Sequence, residues 1–489
     1  MSLFSYEFFI FWAVALLLYY GGERCLRVLK SQQDSFEGNS QWLVLLAASL
    51  YFYARMCNRF PLVLLLVSVT TFAGVKWYES GHRRKGWIYA LVLLNLLYLV
   101  LGRETGLVAI LGNSYFTLKA IGYVIEVERE QTKSFSNYPR MLLYLIYFPT
   151  VMQGPFNRSN DFENSLKKHV TLDMTAVLHG IQRFVWGTLK KLVVAERLAP
   201  FVDCVYGNLE NMNGITVLIA TVGYAIQLYA DFSGCMDMML GVSQTFGIAL
   251  PENFKRPYFA QTAADFWRRW HITLGHWFRD FVMFTFVMSP VGKKINKACK
   301  KKWKKGKLVV PILGTMLVWI CTGLWHGLGN NYLIWGIYYG VIISASLLLE
   351  DRYILVKKKL HIRQESSWYR IMCMMRTWCI VLAADVVIRC PDLKSVWVAF
   401  QKIFTEFGTT MTVEREQIGW SGTFPFAAAL LCFFAVSCIQ EKEIDILAWL
   451  DKQKLPVRWG AYYLVIFVVF LFGIYGASYD TSQFLYGMF

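Results

Sequence analysis

The chain reads as an all-α, polytopic integral membrane protein, on three grounds. It is 56% hydrophobic and 17% aromatic, its mean hydropathy is +0.38, and only 17% of its 489 residues are charged, against roughly 25% in a soluble domain. Apolar runs close to the ~20 residues that cross a bilayer recur along its length. Lysine and arginine gather in alternate loops, as they do when every second loop faces the cytoplasm.

Taken in order, the runs lie at about 2–20, 41–55, 60–78, 87–102, 106–127, 141–156, 213–232, 308–326, 331–349, 371–390, 422–440 and 461–479. They predict roughly 11–13 membrane helices plus re-entrant and interfacial ones. The opening "MSLFSYEFFIFWAVALLLYY" has neither a basic start nor a small-residue cleavage site, so it is expected to stay as a helix. The chain is treated as one membrane domain over 1–489. Helices fill 1–140, a middle stretch at 141–350 is broken by Pro, Gly and charge, helices return over 351–479, and a tail occupies 480–489.

The net charge of +17 raises the question of nucleic acid, and the distribution of the charge answers it. The segments 22–40, 79–86, 128–140, 293–307, 351–370 and 441–458 hold 28 Lys and Arg, whereas 55–60, 103–105, 391–421 and 480–489 hold 6. The positive-inside rule puts the first set in the cytoplasm and both chain ends outside. The nine lysines of 293–307 read as an orientation signal and a contact for anionic lipid, so no nucleic-acid partner is expected. Eleven cysteines are scattered without a CxxC pair or His/Cys ligand spacing, which implies neither a metal nor a disulfide framework.

The middle third carries "NFKRPYFAQTAADFWRRWHITLGHWFRDF", 253–281. Thr262 followed by Asp265 is a capping-box-like start. Phe266, Trp267, Trp270, Leu274, Trp277, Phe278 and Phe281 then recur at helical spacing, with Arg268, Arg269, His276, Arg279 and Asp280 largely opposite. This pattern predicts one helix lying along the membrane surface. His271 falls on the inward stripe, where a neutral imidazole needs a hydrogen-bond partner. A satisfied structural histidine and a functional one both fit.

His326 interrupts "VWICTGLWHGLGNNYLIWGIYYG", 318–340. Gly327, Gly329, Asn330 and Asn331 form a tight break, so the histidine is expected at a helix C-terminus facing the outer side or a cavity entering from it. The helix dipole favours imidazolium there while burial opposes it, which suits general-base work. An interfacial loop histidine without a role fits equally well.

The segments "YFPTVMQGPFNR" (147–158), "YAIQLYADFSGCMDMMLG" (224–241), "DFWRRWHITLGHWFRDF" (265–281) and "GLWHGLGNNYLIWG" (323–336) closely resemble the membrane-bound O-acyltransferase (MBOAT) family. The likeness is to its bacterial branch of alginate and peptidoglycan O-acetylation proteins and the D-alanyl teichoic acid transfer protein. It runs over about 100–350 and implies the MBOAT fold, with 141–350 as catalytic core. It implies His326 as catalytic residue and His271 as its usual second member. With no GxSxG elbow and no Cys beside a His, acyl-serine chemistry lacks its parts. What remains is a base taking a proton from a hydroxyl as it attacks a thioester carbonyl, and His326 is the candidate. Trp325 and Asn330 are sequence neighbours suited to hold the donor carbonyl or its oxyanion, with His271 a more distant candidate.

The resemblance further implies a cytoplasmic acyl thioester, acetyl-CoA or a charged carrier protein, as donor, with no bound cofactor. It also implies a bacterial plasma membrane as the location, with membrane lipid around the chain. Arg268, Arg269 and Arg279 are read either as surface anchors or as contacts to a phosphate-bearing donor. Asp231 and Asp237 either brace the bundle or orient a motif histidine. The final "FLYGMF", 484–489, resembles the aromatic terminal motif whose tyrosine is implicated in the family as an acyl carrier to an extracellular Ser/His/Asp partner. Tyr486 is then a carrier, or else part of a plain aromatic anchor. The chain length favours acetyl over D-alanyl transfer. A transporter or flippase would share the broken helices and buried charge. It would also show internal repeat symmetry, which is not evident.

Overall fold

The computed structural model describes residues 3–30, 40–57, 62–104, 112–413 and 423–475. Tyr486 and the rest of the 484–489 motif lie outside the described residues. Helices succeed one another without a strand among the described residues. They are α1 (Tyr6–Lys30), α2 (Gln41–Met56), α3 (Leu62–Glu79), α4 (Lys85–Glu104), α5 (Asn113–Glu128), α6 (Tyr138–Ile146), α7 (Phe148–Val151), α8 (Ser159–Lys167) and α9 (Met174–Leu189). A π-helical segment (Lys190–Ala195) leads into α10 (Glu196–Gly207) and α11 (Gly214–Thr245). Then come α12 (Ala263–Arg269), α13 (Ile272–Phe278), a second π-helical stretch (Arg279–Met283), α14 (Phe284–Met288), α15 (Pro290–Lys302), α16 (Val309–His326), α17 (Asn330–Lys359), α18 (Ser367–Arg389) and α19 (Leu393–Thr405). The chain closes with α20 (Thr423–Glu441), α21 (Ile446–Asp451) and α22 (Leu455–Phe472). Six of these are long and apolar enough to cross a membrane, namely α3, α11, α16 with the turn before it, α17, α18 and α22, and shorter apolar helices lie at Tyr6–Gly22, Lys85–Leu101 and Phe426–Glu441.

Three expectations change. The run at 141–156 is no single helix: α6 ends at Tyr147 (φ −48°, ψ 114°), Pro149 opens the four-residue α7, and Gly154 at φ 93° turns the chain. Proline cannot donate into a continuing helix and glycine alone takes that φ freely. The stretch 174–207, absent from the apolar runs because lysines and a glutamate interrupt it, is helical throughout. The expected single helix over 265–281 is broken between Arg269 and Ile272, where His271 adopts the left-handed conformation (φ 44°, ψ 50°).

The chain falls into two compact units, one gathering Met1–Gly187 with Cys235–Pro251, the other Thr188–Gly234 with Glu252–Ile474. In the first unit α5 is buried over almost its whole length, and Gly112 before it sits so near Val151 that a Cβ would be driven into the carbonyl oxygen. Aromatic rings of Phe8, Phe52 and Phe148 pack close by, with Phe52 and Phe148 5.7 Å apart.

In the second unit α16 and α17 form an antiparallel hairpin. A Cβ on Gly323 would lie 2.5 Å from the Tyr332 carbonyl oxygen, and one on Gly336 would be driven into that of Trp319. Gly340 faces Met316, where a Cβ would come within 2.9 Å of the sulfur. The numbers rise on one helix as they fall on the other, which fixes the antiparallel register. Small residues let membrane helices approach until backbone packs on backbone, where no hydrophobic drive exists between them. Around that seam Trp319, Trp335 and Tyr339 cluster with Ala384 and Val387 of α18.

A Gly336→Val substitution should force the hairpin apart. Overpacking of a close-packed interior costs about 1–3 kcal/mol, so the purified variant should melt several degrees lower in detergent. An unchanged melting temperature would contradict the seam.

Candidate functional site

The second unit brings His271 and His326 into one buried cluster. His326 is the last residue of α16 and is 3% exposed, and His271, between α12 and α13, is 2% exposed. The α16 helix stops at His326 because Gly327 is extended, its N–H still reaching the Gly323 carbonyl at 3.1 Å. Both histidines lie close to Trp325, whose ring is 4.8 Å from that of His326 and 6.2 Å from that of His271. His326 also meets the Trp335 ring edge to face at 5.2 Å, and Trp335 packs 5.5 Å from Trp267 of α12. Phe232 of α11 also meets the His271 ring edge to face, at 4.8 Å. Edge-to-face contacts of this kind fix ring orientation as well as position.

Local backbone pairing sets the break at His271. The Lys255 N–H donates to the Arg269 carbonyl at 2.9 Å and the Ile272 N–H to that of Asn253 at 3.0 Å. Two groups that would have continued a helix are thereby drawn to the 253–255 segment. Asn253 is fully buried, and its Oδ1 accepts from the Thr273 N–H (3.1 Å), the Thr273 hydroxyl (2.9 Å) and His271 Nδ1 (3.2 Å). A backbone N–H can only donate, so this atom is an oxygen, and His271 must donate from Nδ1. Its Nε2 then carries the lone pair. Burial first, and the nearby His326 second, hold the His271 pKa well below the ordinary histidine value, so the ring is neutral.

The remaining sequence candidates are placed as follows. Asn330 is exposed at the start of α17, and it is its neighbour Asn331 that is buried, donating to the Cys390 carbonyl at 3.3 Å. Arg269 is engaged by Glu441 (2.9 Å) and Asp265 (3.2 Å), and Arg256 joins it on Glu441 at 2.7 Å. Arg268 has a largely exposed side chain, and Arg279 pairs with its neighbour Asp280 at 2.7 Å. Asp231, buried in α11, pairs with Lys191, which Glu196 holds from the other side. In the first unit Asp237 takes Arg183 through two nitrogens, at 3.0 and 2.9 Å. Among the described residues no group of three or more His, Cys, Asp or Glu could hold a metal ion.

Sequence reasoning missed two features. Asn253 carries no signal of its own in the sequence, because its hydrogen bonds reach 18 and 20 residues along the chain. Lys190 and Lys191 sit in the π-helical segment, buried, with Lys190 donating to the Ser233 hydroxyl at 3.1 Å. Two lysines inside "WGTLKKLVVA" were the signal, since charge at membrane depth marks a built interaction.

With this geometry in view, comparison with known proteins is informative. The family model described as MBOAT, membrane-bound O-acyltransferase family, matches residues 124–384, more than half the chain. The matched stretch contains Asp231, Asp237, His271 and His326 and stops short of Tyr486. A teichoic acid D-alanyltransferase of Bacillus subtilis is 30% identical over 274 residues, 56% of this chain and 66% of that protein. A probable alginate O-acetylase of Pseudomonas aeruginosa is 28% identical over 461 residues, covering 88% and 80%. A peptidoglycan O-acetyltransferase of Helicobacter pylori is 27% identical over 351 residues, covering 62% and 63%.

The neutral state of His271 has a pH consequence. Its folded pKa lies below its unfolded value of about 6.5, so as the pH falls through that value the unfolded chain takes up a proton first. Stability present above about pH 6.5 is therefore lost below it. The melting temperature in detergent should drop between about pH 7 and pH 5, and a His271→Asn variant should drop less. An equal drop in both would contradict the buried neutral ring.

Proposed function

The chain belongs to the membrane-bound O-acyltransferase family and is an O-acyltransferase, and we propose that the group it moves is acetyl. The donor is a thioester on the cytoplasmic side, acetyl-CoA or an acyl carrier protein. The destination is a cell-surface or secreted polysaccharide, and the membrane is the bacterial plasma membrane. The observation that carries the mechanism is the pair His271 and His326, both held near the Trp325 ring in one buried cluster.

In this reading His326 takes the proton of an acceptor hydroxyl as its oxygen bonds to the thioester carbonyl carbon. The C–S bond breaks and the same proton passes to the departing thiolate, leaving an ester and a free thiol. The neutral His271 presents the Nε2 lone pair to hold the acceptor hydroxyl. The buried Trp325 indole N–H supports an oxyanion developing beside it. Arg268 and Arg279 attract the phosphates of the donor, whereas Arg269 serves the ion pair with Glu441 and Asp265. Asp231 and Asp237 brace the helices through Lys191 and Arg183.

The first acceptor is the Tyr486 hydroxyl. A phenol of pKa about 10 leaves more readily than a sugar hydroxyl, so its ester keeps enough transfer potential to hand the group to an extracellular Ser/His/Asp partner. Acetyl is favoured over D-alanyl because the likeness to the alginate protein extends over 88% of the chain, against 56% for the teichoic acid protein.

A His326→Ala variant should keep its expression and elution profile and lose transfer by about 10²–10⁴-fold, the usual worth of a general base. Transfer at the wild-type rate would remove the base assignment. Tyr486→Phe keeps the aromatic ring and deletes the hydroxyl, so polysaccharide acetylation measured by mass spectrometry of cell wall and exopolysaccharide should vanish. Undiminished acetylation would end the relay, and loss of D-alanyl ester from a deletion strain with acetyl ester intact would overturn the choice of acyl group.

A further inference from the structure

The membrane-length helix α3 ends at Glu79, and a cavity of about 700 Å³ opens beside that end, wholly within the first unit. Its walls come from the end of α3, the turn that follows α5, the first turn of α6, and α8. The turn is fastened in place. The Ser134 N–H donates to Glu79 at 3.3 Å, the Ser134 hydroxyl accepts from Lys76 at 2.8 Å, and the N–H of the buried Phe135 donates to the Tyr123 hydroxyl at 3.1 Å. Acyl transfer as described above gives this cavity no task.

Arg140 in its wall is incompletely met. The Arg140 side chain is 17% exposed, its Nε is buried without a hydrogen-bond partner, and a terminal nitrogen lies 3.9 Å from Glu163, beyond hydrogen-bond reach. The guanidinium rests 5.1 Å over the Trp42 ring, which supplies attraction and no acceptor. A guanidinium carries its N–H donors in a planar fork that matches the oxygens of a phosphate or carboxylate. Leaving that fork unmet and mostly buried is costly. Lys133, in the same wall, meets no carboxylate among the described residues, and Lys167 reaches Glu163 only at 3.6 Å. Arg83 is already taken by Glu130 at 2.8 Å. The four cations and three carboxylates of the lining leave one positive charge over.

We propose that this cavity seats a phosphate group of single negative charge, the phosphodiester of a membrane phospholipid headgroup, with the Arg140 fork and the Lys133 ammonium as its donors. One surplus positive charge suits a phosphodiester. The position suits a lipid: the exposed rings of Trp77, near the end of α3, and Trp87, at the start of α4, lie where aromatic side chains meet the headgroup layer. The loops 79–86 and 128–140 belong to the set that the charge pattern assigns to the cytoplasm, and basic pockets between membrane helices on that side are suited to lipid headgroups. The same phosphate chemistry is offered in solution by inorganic phosphate, which has no tails to hold it at the bilayer. The proposal stands apart from the acyl-transfer reading and draws on none of its residues.

The test uses the purified full chain, stripped of lipid in detergent, and native mass spectrometry to count bound molecules. Dioctanoyl phosphatidylglycerol should be retained by the parent, whereas dioctanoylglycerol, with the same tails and no phosphate, should not. Arg140→Gln should weaken retention at least tenfold, the worth of a charge-assisted hydrogen bond, and Arg140→Lys, which keeps the charge and loses the fork, should fall between. Lys133 is exposed, so Lys133→Ala tests the site without threat to folding and should weaken retention several-fold. A double variant of α15, Lys300→Ala with Lys301→Ala, should retain the lipid as the parent does. Equal retention by the parent, Arg140→Gln and Lys133→Ala would overturn the proposal, as would equal retention of the phosphate-free lipid. Inorganic phosphate that displaces the bound lipid only at high millimolar concentration is expected. Phosphate that raises the melting temperature of the parent but not of Arg140→Gln, with no lipid retained, would overturn the headgroup assignment.

Discussion

Everything about the candidate site depends on how closely α16 approaches α17. At Gly323 and Gly336 the two helices touch through backbone, with no side chain between them. This contact lets Trp335 reach His326 and lets Trp319 and Tyr339 stack at 5.0 Å one turn deeper. In lipid, helix association draws on packing and hydrogen bonding, because the tails are as apolar as the side chains they would replace. The dense aromatic layer around Trp267, Trp319, Trp335 and Tyr339 supplies that packing, and α12 enters it through Trp267. A histidine at a helix end would ordinarily be wet. Here the hairpin and the layer beneath it bury the ring.

The second constraint is polar. Burying charge without a partner is so unfavourable at membrane depth that the chain answers it locally. Lys191 lies between Asp231 and Glu196, Arg183 grips Asp237, and Arg158 meets Glu126 at 2.9 Å. His271 follows the opposite strategy. It stays neutral, and a single Asn253 oxygen settles both its tautomer and its place. The left-handed backbone at His271 costs on the order of 1 kcal/mol or more, and the paired backbone of 253–255 and 269–272 holds it there.

How legible this was depended on whether a signal runs along the chain or across it. The apolar runs and the glycine break located α16, α17 and the end of the helix at His326, because run length and glycine act locally. The bend at His271 was hidden, since the aromatic period passes straight through 265–281 and only the distant 253–255 segment interrupts it. Asn330 is the candidate in the sequence and Asn331 the buried residue, because nothing in one dimension says which of two adjacent asparagines turns inward. Lys190 and Lys191 make 174–207 look polar, whereas their partners in α11 let the helical stretch around them be buried. The likeness to a known family carried the two histidines further than composition could.

The most direct measurement is a structure of the chain with a thioether analogue of the acyl donor bound, in lipid nanodiscs. The carbonyl carbon that replaces the thioester should lie near the His326 ring, leaving room for an acceptor oxygen at about 3–3.5 Å from it. A donor carbonyl seated away from both His326 and His271, with the analogue otherwise fully occupied, would contradict the assignment of this cluster as the place of acyl transfer.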